Sequence, residues 1–182
     1  IARLAGIPIR AGYSTDARGL LLTHPVRRSP QIQSVHQSLY YLEMLKALGF
    51  RSPGAAVSLV PTEAQRRAAE TSLTQMGIAG RRPLVGMAPG AAYGPAKRWH
   101  PERFAAVADR LAERFSCPIL LFGSAGDRAS TEAVQAAAAT SFVDIAGRTD
   151  LSDAIALIAF CDLFLTNDSG LMHVAGALGV PT

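Results

Sequence analysis

The feature that most limits what this chain can fold into is the order of its apolar segments from Pro83 onward. Leu84 to Ala88 is an apolar run of strand length. Pro101 suits a first helical position, and Phe104, Val107, Ala108, Leu111 and Phe115 follow at helical spacing. Ile119 to Phe122 predicts a second strand, with Pro118 tolerated at its start. A helix near Thr131–Ala139 and a short strand near Phe142–Ile145 come next. An almost wholly apolar helix over Leu151–Phe160, a strand over Leu163–Thr166 and a helix over Gly170–Leu178 complete the pattern. Regular alternation of strand and helix predicts an α/β fold: a doubly wound parallel sheet covered by helices on both faces. In such folds ligands bind beyond the carboxyl ends of the strands. Here those ends lead into loops 89–100, 123–128, 146–150 and 167–170.

The first part of the chain is less regular. Residues 1–32 read as irregular, broken by Gly6, Pro8, Gly12, Gly19, Pro25 and Pro30. Val35, Leu39, Leu42, Leu45 and Leu48 form a helical stripe across 33–48, and Gly49 is a suitable stop. Ala56 to Val60 is a short apolar run. Thr62-Glu63-Ala64-Gln65 fits a capping box opening a polar helix that reaches about Met76. Gly77 to Arg82 is a turn-rich link.

With 182 residues the chain can bury one good core, or one domain plus part of another. Hydrophobic residues at 49% against charged residues at 18% exclude a disordered chain. No apolar run approaches the roughly 20 residues that span a bilayer, and no basic segment followed by an apolar one marks a signal peptide. Ile1 at one end and the apolar stretch before Thr182 at the other read as cuts through a longer protein. Cys117 and Cys161 have neither metal spacing nor a disulfide framework and read as buried small hydrophobes. Charge is uneven: residues 1–80 hold nine Lys and Arg against four Asp and Glu, a net +5, and residues 81–182 hold nine against ten, a net −1. The basic part suits an anionic lipid surface or a phosphorylated acceptor, with ordinary solvated arginines as the alternative. No nucleic-acid motif is present, so no nucleic-acid partner is expected.

Three loops carry candidate chemistry. The loop Pro89 to Trp99 holds glycines, Gly90 among them, that let backbone approach a ligand closely, and Lys97, a mobile charge suited to a phosphate. It lacks the spacing of a Walker A loop, and the chain has no GxGxxG fingerprint. A solvated surface loop is the alternative, and Trp99 reads as a packing anchor. In Gly123 to Asp127, the carboxylate of Asp127 either accepts from ribose hydroxyls or caps the following helix. In Thr166 to His173, a strand runs into a helix whose first turn is Ser169-Gly170-Leu171, and free N–H groups there favour a pyrophosphate. Asp168 either caps that helix or meets a sugar hydroxyl, because a carboxylate against a pyrophosphate would be repelled. His173 lies one turn into the helix. No catalytic triad or metal cluster is visible, so neither a metal nor a cofactor is expected. The residues alone describe a site for an anionic nucleotide ligand.

The strings PGAAYGPAKRW, LLFGSAGD, DIAG and TNDSGLMHVAGALGVPT, with the opening LAGIPIRAGY, resemble glycosyltransferase family 9, the heptosyltransferases of lipopolysaccharide core synthesis. The resemblance spans nearly the whole chain. It implies the GT-B architecture, two Rossmann-like domains with the active site in the cleft: one domain nearly complete here, plus the end of another. Residues 1–80 would be the end of the N-terminal acceptor domain and the interdomain link, and 81–182 the truncated C-terminal domain that binds the nucleotide-sugar donor.

The resemblance further implies inverting, metal-free transfer of L-glycero-D-manno-heptose from an ADP-heptose donor to a lipopolysaccharide inner-core acceptor. It places the protein in the cytoplasm, with peripheral association at the inner membrane. Lys97 matches the family lysine near the donor phosphates, where it would stabilise the leaving group. Gly90 and Ala91 border the same loop, Asp127 lies where an acidic ribose contact is expected, and Asp168, Ser169 and Gly170 match the donor segment with His173 beside it. No residue matches the family's general base, so the 182 residues by themselves are expected to lack transferase activity. Rival readings are a GT-B transferase or epimerase using a UDP-sugar, and a non-catalytic nucleotide-binding module. A Rossmann dehydrogenase is disfavoured by the missing glycine fingerprint.

Overall fold

The computed structural model describes residues 1–51, 54, 57–91 and 94–182. Ala56 of the expected apolar run, and Ala92 and Tyr93 of the first ligand loop, lie outside the described residues. The chain divides into two compact units, Ile1–Val57 and Ser58–Thr182.

The first unit corrects the reading of residues 1–32 as wholly irregular. Strands β1 (Ala11–Tyr13) and β2 (His24–Val26) pair in parallel, with Gly12 opposite Pro25. Three-residue strands built around a glycine and a proline are too short to show an alternating pattern, so only their pairing reveals them. Helix α1 (Gln37–Ala47) follows; its cap, His36, accepts from the Ser38 N–H. The Tyr13 hydroxyl donates to the Tyr40 carbonyl at 2.6 Å, and the two rings lie 4.4 Å apart. Tyr13, Val26 and Ile32 are buried, but α1 contributes no buried residue.

In the second unit, Thr62 and Gln65 form the expected capping box at the start of helix α2 (Glu63–Gln75). The Thr62 hydroxyl accepts from the Gln65 N–H at 3.3 Å, and the Gln65 side chain accepts from the Thr62 N–H at 2.7 Å. There follow strand β3 (Val85–Ala88), helix α3 (Pro101–Phe115), strand β4 (Ile119–Leu121) and helix α4 (Arg128–Ala137). Strand β5 (Val143–Asp144), helix α5 (Leu151–Ile158), strand β6 (Leu163–Thr166) and helix α6 (Gly170–Ala177) complete it. The sheet is all parallel, in the order β5-β4-β3-β6, with Val85 opposite both Ile119 and Leu163.

Strand alternation divides the core into two layers. Val85, Met87, Ile119 and Leu121 face α3 and α4, packing with Phe104, Ala108 and Val134. Leu84, Ala88, Leu120, Phe122 and Phe164 face the other way, with Leu73 of α2, Leu157 of α5 and Ala175 of α6. Phe164 is fully buried and meets Phe122 edge-on at 5.4 Å. It fills the space above Gly86, where an added Cβ would come within 2.5 Å of its ring. Helix α2 belongs to this core, and its Gln65 donates to the Ser152 hydroxyl at 2.8 Å. The compact unit begins at Ser58, and Ala69, Leu73 and Ile78 pack into the core beside the sheet.

Strand order decides where a ligand can sit. The chain lays β4 and β5 to one side of β3 and then returns to place β6 on the other. The helices that follow β3 and β6, α3 and α6, thus pack on opposite faces of the sheet, and a ligand site is expected beyond the strand ends at this switch. At the opposite end of the same strands, Asp162 accepts from the Leu84 N–H at 2.6 Å and from Arg82 at 3.0 Å. Burial pushes its carboxyl up, but the Leu84 and Arg82 bonds and the Arg82 charge outweigh this and hold it below its ordinary value.

Candidate functional site

Beyond the carboxyl ends of the strands lies a cavity of about 580 Å³, lined wholly by the second unit. The β3 loop supplies Gly90 and Ala91, the β4 loop Ser124 and Asp127, the start of α5 Thr149 to Leu151, and the start of α6 Ser169 to Leu171. Phe122, Ala154 and Val174 make its inner wall apolar. A largely apolar hollow with polar groups at its mouth suits a flat ring inside and a charged tail at the rim.

The rim is made where the β3 and β6 loops meet. Lys97, in a short 3₁₀ turn over Pro95–Lys97, donates from Nζ to Asp168 Oδ2 at 2.6 Å. This hydrogen bond and the Lys97 charge hold the Asp168 carboxyl below its ordinary value, with His173 adding a weaker pull. Lys97, Asp168 and His173 are exposed and border the cavity from outside its lining. Gly90, Ala91, Asp127, Ser169 and Gly170 line it directly.

Hydrogen bonding bears on the cap readings of Asp168 and Asp127. Asp168 does not cap α6: the cap position is Ser169, which makes no side-chain cap bond. The Ser169 hydroxyl instead lies 3.3 Å from that of Thr166. The first turn of α6 is therefore free of any side-chain oxygen, the condition under which a helix N-terminus accepts an external anion. Asp127 turns back on its own loop, where Oδ2 accepts from the Ser124 N–H at 2.9 Å and its hydroxyl at 2.7 Å. Its other oxygen packs over Gly90, where any Cβ would overlap the carboxylate. Asp127 thus both closes a turn and presents one edge to the cavity.

Sequence reasoning passed over Asn167. It is one of two buried polar or charged residues in the chain's described part, at 7% exposure. Its Oδ1 accepts from the Trp99 N–H at 2.9 Å, and its Nδ2 donates to the Pro89 carbonyl at 2.8 Å and, more weakly, to that of Gly90 at 3.4 Å. The available signal was an asparagine between a strand end and a helix cap, where one planar group can donate and accept together. Thr149 and Asp150 were also passed over, although their loop was marked. Asp150 caps α5 by accepting from the Asp153 N–H at 2.8 Å while lining the cavity. Trp99, expected as a packing anchor, is set edge-on to Phe104 at 5.4 Å but stays 38% exposed.

Among the described residues, no group of three or more His, Cys, Asp or Glu side chains could hold a metal ion. None of the helices there is long and apolar enough to cross a membrane.

A parallel sheet with helices on both faces and a cavity beyond its strand ends is a Rossmann-like arrangement of the kind found in GT-B folds. The model of glycosyltransferase family 9 (heptosyltransferase) matches residues 1–182, and the chain belongs to that family. It is 35% identical over 97% of its length to lipopolysaccharide heptosyltransferase 2 of Escherichia coli (strain K12), covering 53% of that protein. Among solved structures, E. coli ADP-heptose lps heptosyltransferase II superposes with a TM-score of 0.72 at 33% identity, over 97% of this chain and 55% of the other. The glycosyl transferase family 9 from Veillonella parvula DSM 2008 superposes with a TM-score of 0.79 at 29% identity, over 96% of this chain and 49% of the other. The chain spans about half the length of the relatives it matches.

Proposed function

We propose that residues 58–182 bind the ADP-heptose donor of an inverting transfer of L-glycero-D-manno-heptose to a lipopolysaccharide inner-core acceptor. The observation that carries this reading is the Lys97–Asp168 pair, which joins the β3 loop to the uncapped first turn of α6 at the cavity mouth. The adenine and ribose lie in the apolar hollow, with the free edge of Asp127 toward the ribose, and the pyrophosphate lies over Ser169 and Gly170. Lys97 then turns from Asp168 to the phosphates, and Asp168 becomes free to accept from a heptose hydroxyl. Residues 1–57 belong to the acceptor side. Their seven Lys and Arg against two Asp and Glu suit work at the cytoplasmic face of an anionic inner membrane.

In the transfer, an acceptor hydroxyl loses its proton to a base and attacks the anomeric carbon from the side opposite the nucleotide. The bond to the diphosphate oxygen breaks, and ADP leaves with the electron pair. No residue described here is assigned as the base. Negative charge grows on the leaving oxygen, so a cation and oriented N–H groups already in place lower the barrier without reorganising. Losing one such donor costs about 3 kcal/mol of barrier. In the protein carrying this chain, Lys97→Ala is expected to slow heptose transfer about 100-fold. A fall of less than about threefold would remove Lys97 from the mechanism. Calorimetric titration with ADP and UDP tests the nucleotide: ADP is expected to bind at least about tenfold tighter, and equal affinities favour the UDP-sugar reading. Nucleotide binding without any transfer would leave a binding module instead.

A further inference from the structure

We infer that Asn167 is the positioning residue that holds the Lys97 loop in register with the first turn of α6, so that cation and helix tip address one ligand. The inference rests on the donor-binding reading above. Lys97 sits in a loop that leaves the sheet at Pro89 and rejoins regular structure after Trp99. Within the loop Arg98 donates to the Ala91 carbonyl at 3.1 Å and the Lys97 N–H to that of Gly94 at 3.4 Å, bonds that shape the loop but do not tie its two ends to the segment that opens α6. The Asn167 amide ties both: Nδ2 donates to the carbonyl of Pro89 where the loop begins, and Oδ1 accepts from the N–H of Trp99 where it ends. Asn167 is itself the residue before Asp168 and Ser169, so the same amide is covalently joined to the other half of the rim.

Only a side chain that donates and accepts in one plane can make this tie. Aspartate keeps the acceptor but turns an oxygen toward the Pro89 carbonyl, and alanine supplies neither. Asn167 lines neither the cavity nor the solvent, so its effect on a ligand must pass through the loop. It touches no reacting atom in this reading and is not a catalytic residue.

Trp99 is the chain's one tryptophan, and its backbone N–H is half of the tie, so its fluorescence reports the loop. The test is titration of the 182-residue chain with ADP, followed by that fluorescence, in wild type, Asn167→Asp, Asn167→Ala, Lys97→Ala and the Asn167→Ala/Lys97→Ala pair. Circular dichroism checks that each is folded. Both Asn167 variants are expected to bind ADP about tenfold more weakly than wild type, a change of about 1.4 kcal/mol. On the Lys97→Ala background the Asn167→Ala effect should shrink at least about threefold, since there is no lysine left to place. A merely structural asparagine predicts additive losses, and additivity overturns the inference. If neither Asn167 variant folds, hydrogen exchange of the wild-type chain decides. ADP should slow exchange at the Trp99 amide and leave the amides of α2 unchanged, by the reciprocity of coupled binding. An unchanged Trp99 amide refutes the tie. If wild type binds no ADP, the donor reading fails and this inference with it; if wild type binds and the variants match it, this inference alone fails.

Discussion

The two compact units have opposite relations to their apolar residues. In Ser58–Thr182, the strands lie between two helical layers, and Phe104, Phe122, Phe164, Met87 and Leu157 are fully or almost fully buried. Among the described residues of Ile1–Val57, only Tyr13, Val26 and Ile32 are buried hydrophobics, while Leu20 is 86% and Ile9 70% exposed. Leu39 and Leu45 of α1, which share the helical stripe, are 39% and 38% exposed. An amphipathic stripe is a requirement for a partner surface and does not itself provide one. The four-stranded sheet meets that requirement in the second unit. A pair of three-residue strands does not meet it in the first.

The sharpest test of this contrast is in the second core. Phe164→Ala removes a fully buried ring from between Gly86 and Phe122 and should lower stability by about 3–5 kcal/mol in urea unfolding. Next, Thr62→Ala removes the hydroxyl of the α2 capping box and should cost about 1 kcal/mol by the same measurement. A third effect depends on pH. The folded carboxyl of Asp162 is held below its ordinary value, so its stabilisation is complete above the unfolded value and disappears as pH falls through the folded one. Melting curves between about pH 2 and 7 should therefore fall less steeply on the acid side for Asp162→Asn than for wild type. The smallest effect is expected in the first unit: Leu20→Ala should shift stability by less than about 0.5 kcal/mol. A loss at Leu20 as large as that at Phe164 would break the comparison.

Where residues stack into a core, their elements were legible in the chain. The runs at Leu84–Ala88, Ile119–Phe122 and Leu163–Thr166 contain β3, β4 and β6, and the Thr62–Gln65 box opens α2 where its spacing predicts. Helix ends drifted for local reasons. The helix expected from Thr131 begins at Arg128, because the turn closed by Ser124 and Asp127 leads straight into it. The pair β1 and β2 was illegible, since Gly12 and Pro25 mask strands that exist only through each other. In the site, the family strings singled out Lys97 and Asp168 but not that they bind each other. The reading of Asp168 as a helix cap gave way to that ion pair.

By itself, the sequence determined the strand–helix alternation, the family, and the residue types available at the strand ends, because periodicity and turn chemistry are local. Tertiary structure alone decided that β6 returns beside β3, that Asn167 bonds both ends of the Lys97 loop, and that Leu73 of α2 packs into the core beside the sheet. The physical reason is that these depend on contacts between segments some 70 to 90 residues apart, such as Asn167 with Pro89 and Gln65 with Ser152. Such contacts form only when burial of the intervening core outweighs the entropy of closing the loops between them.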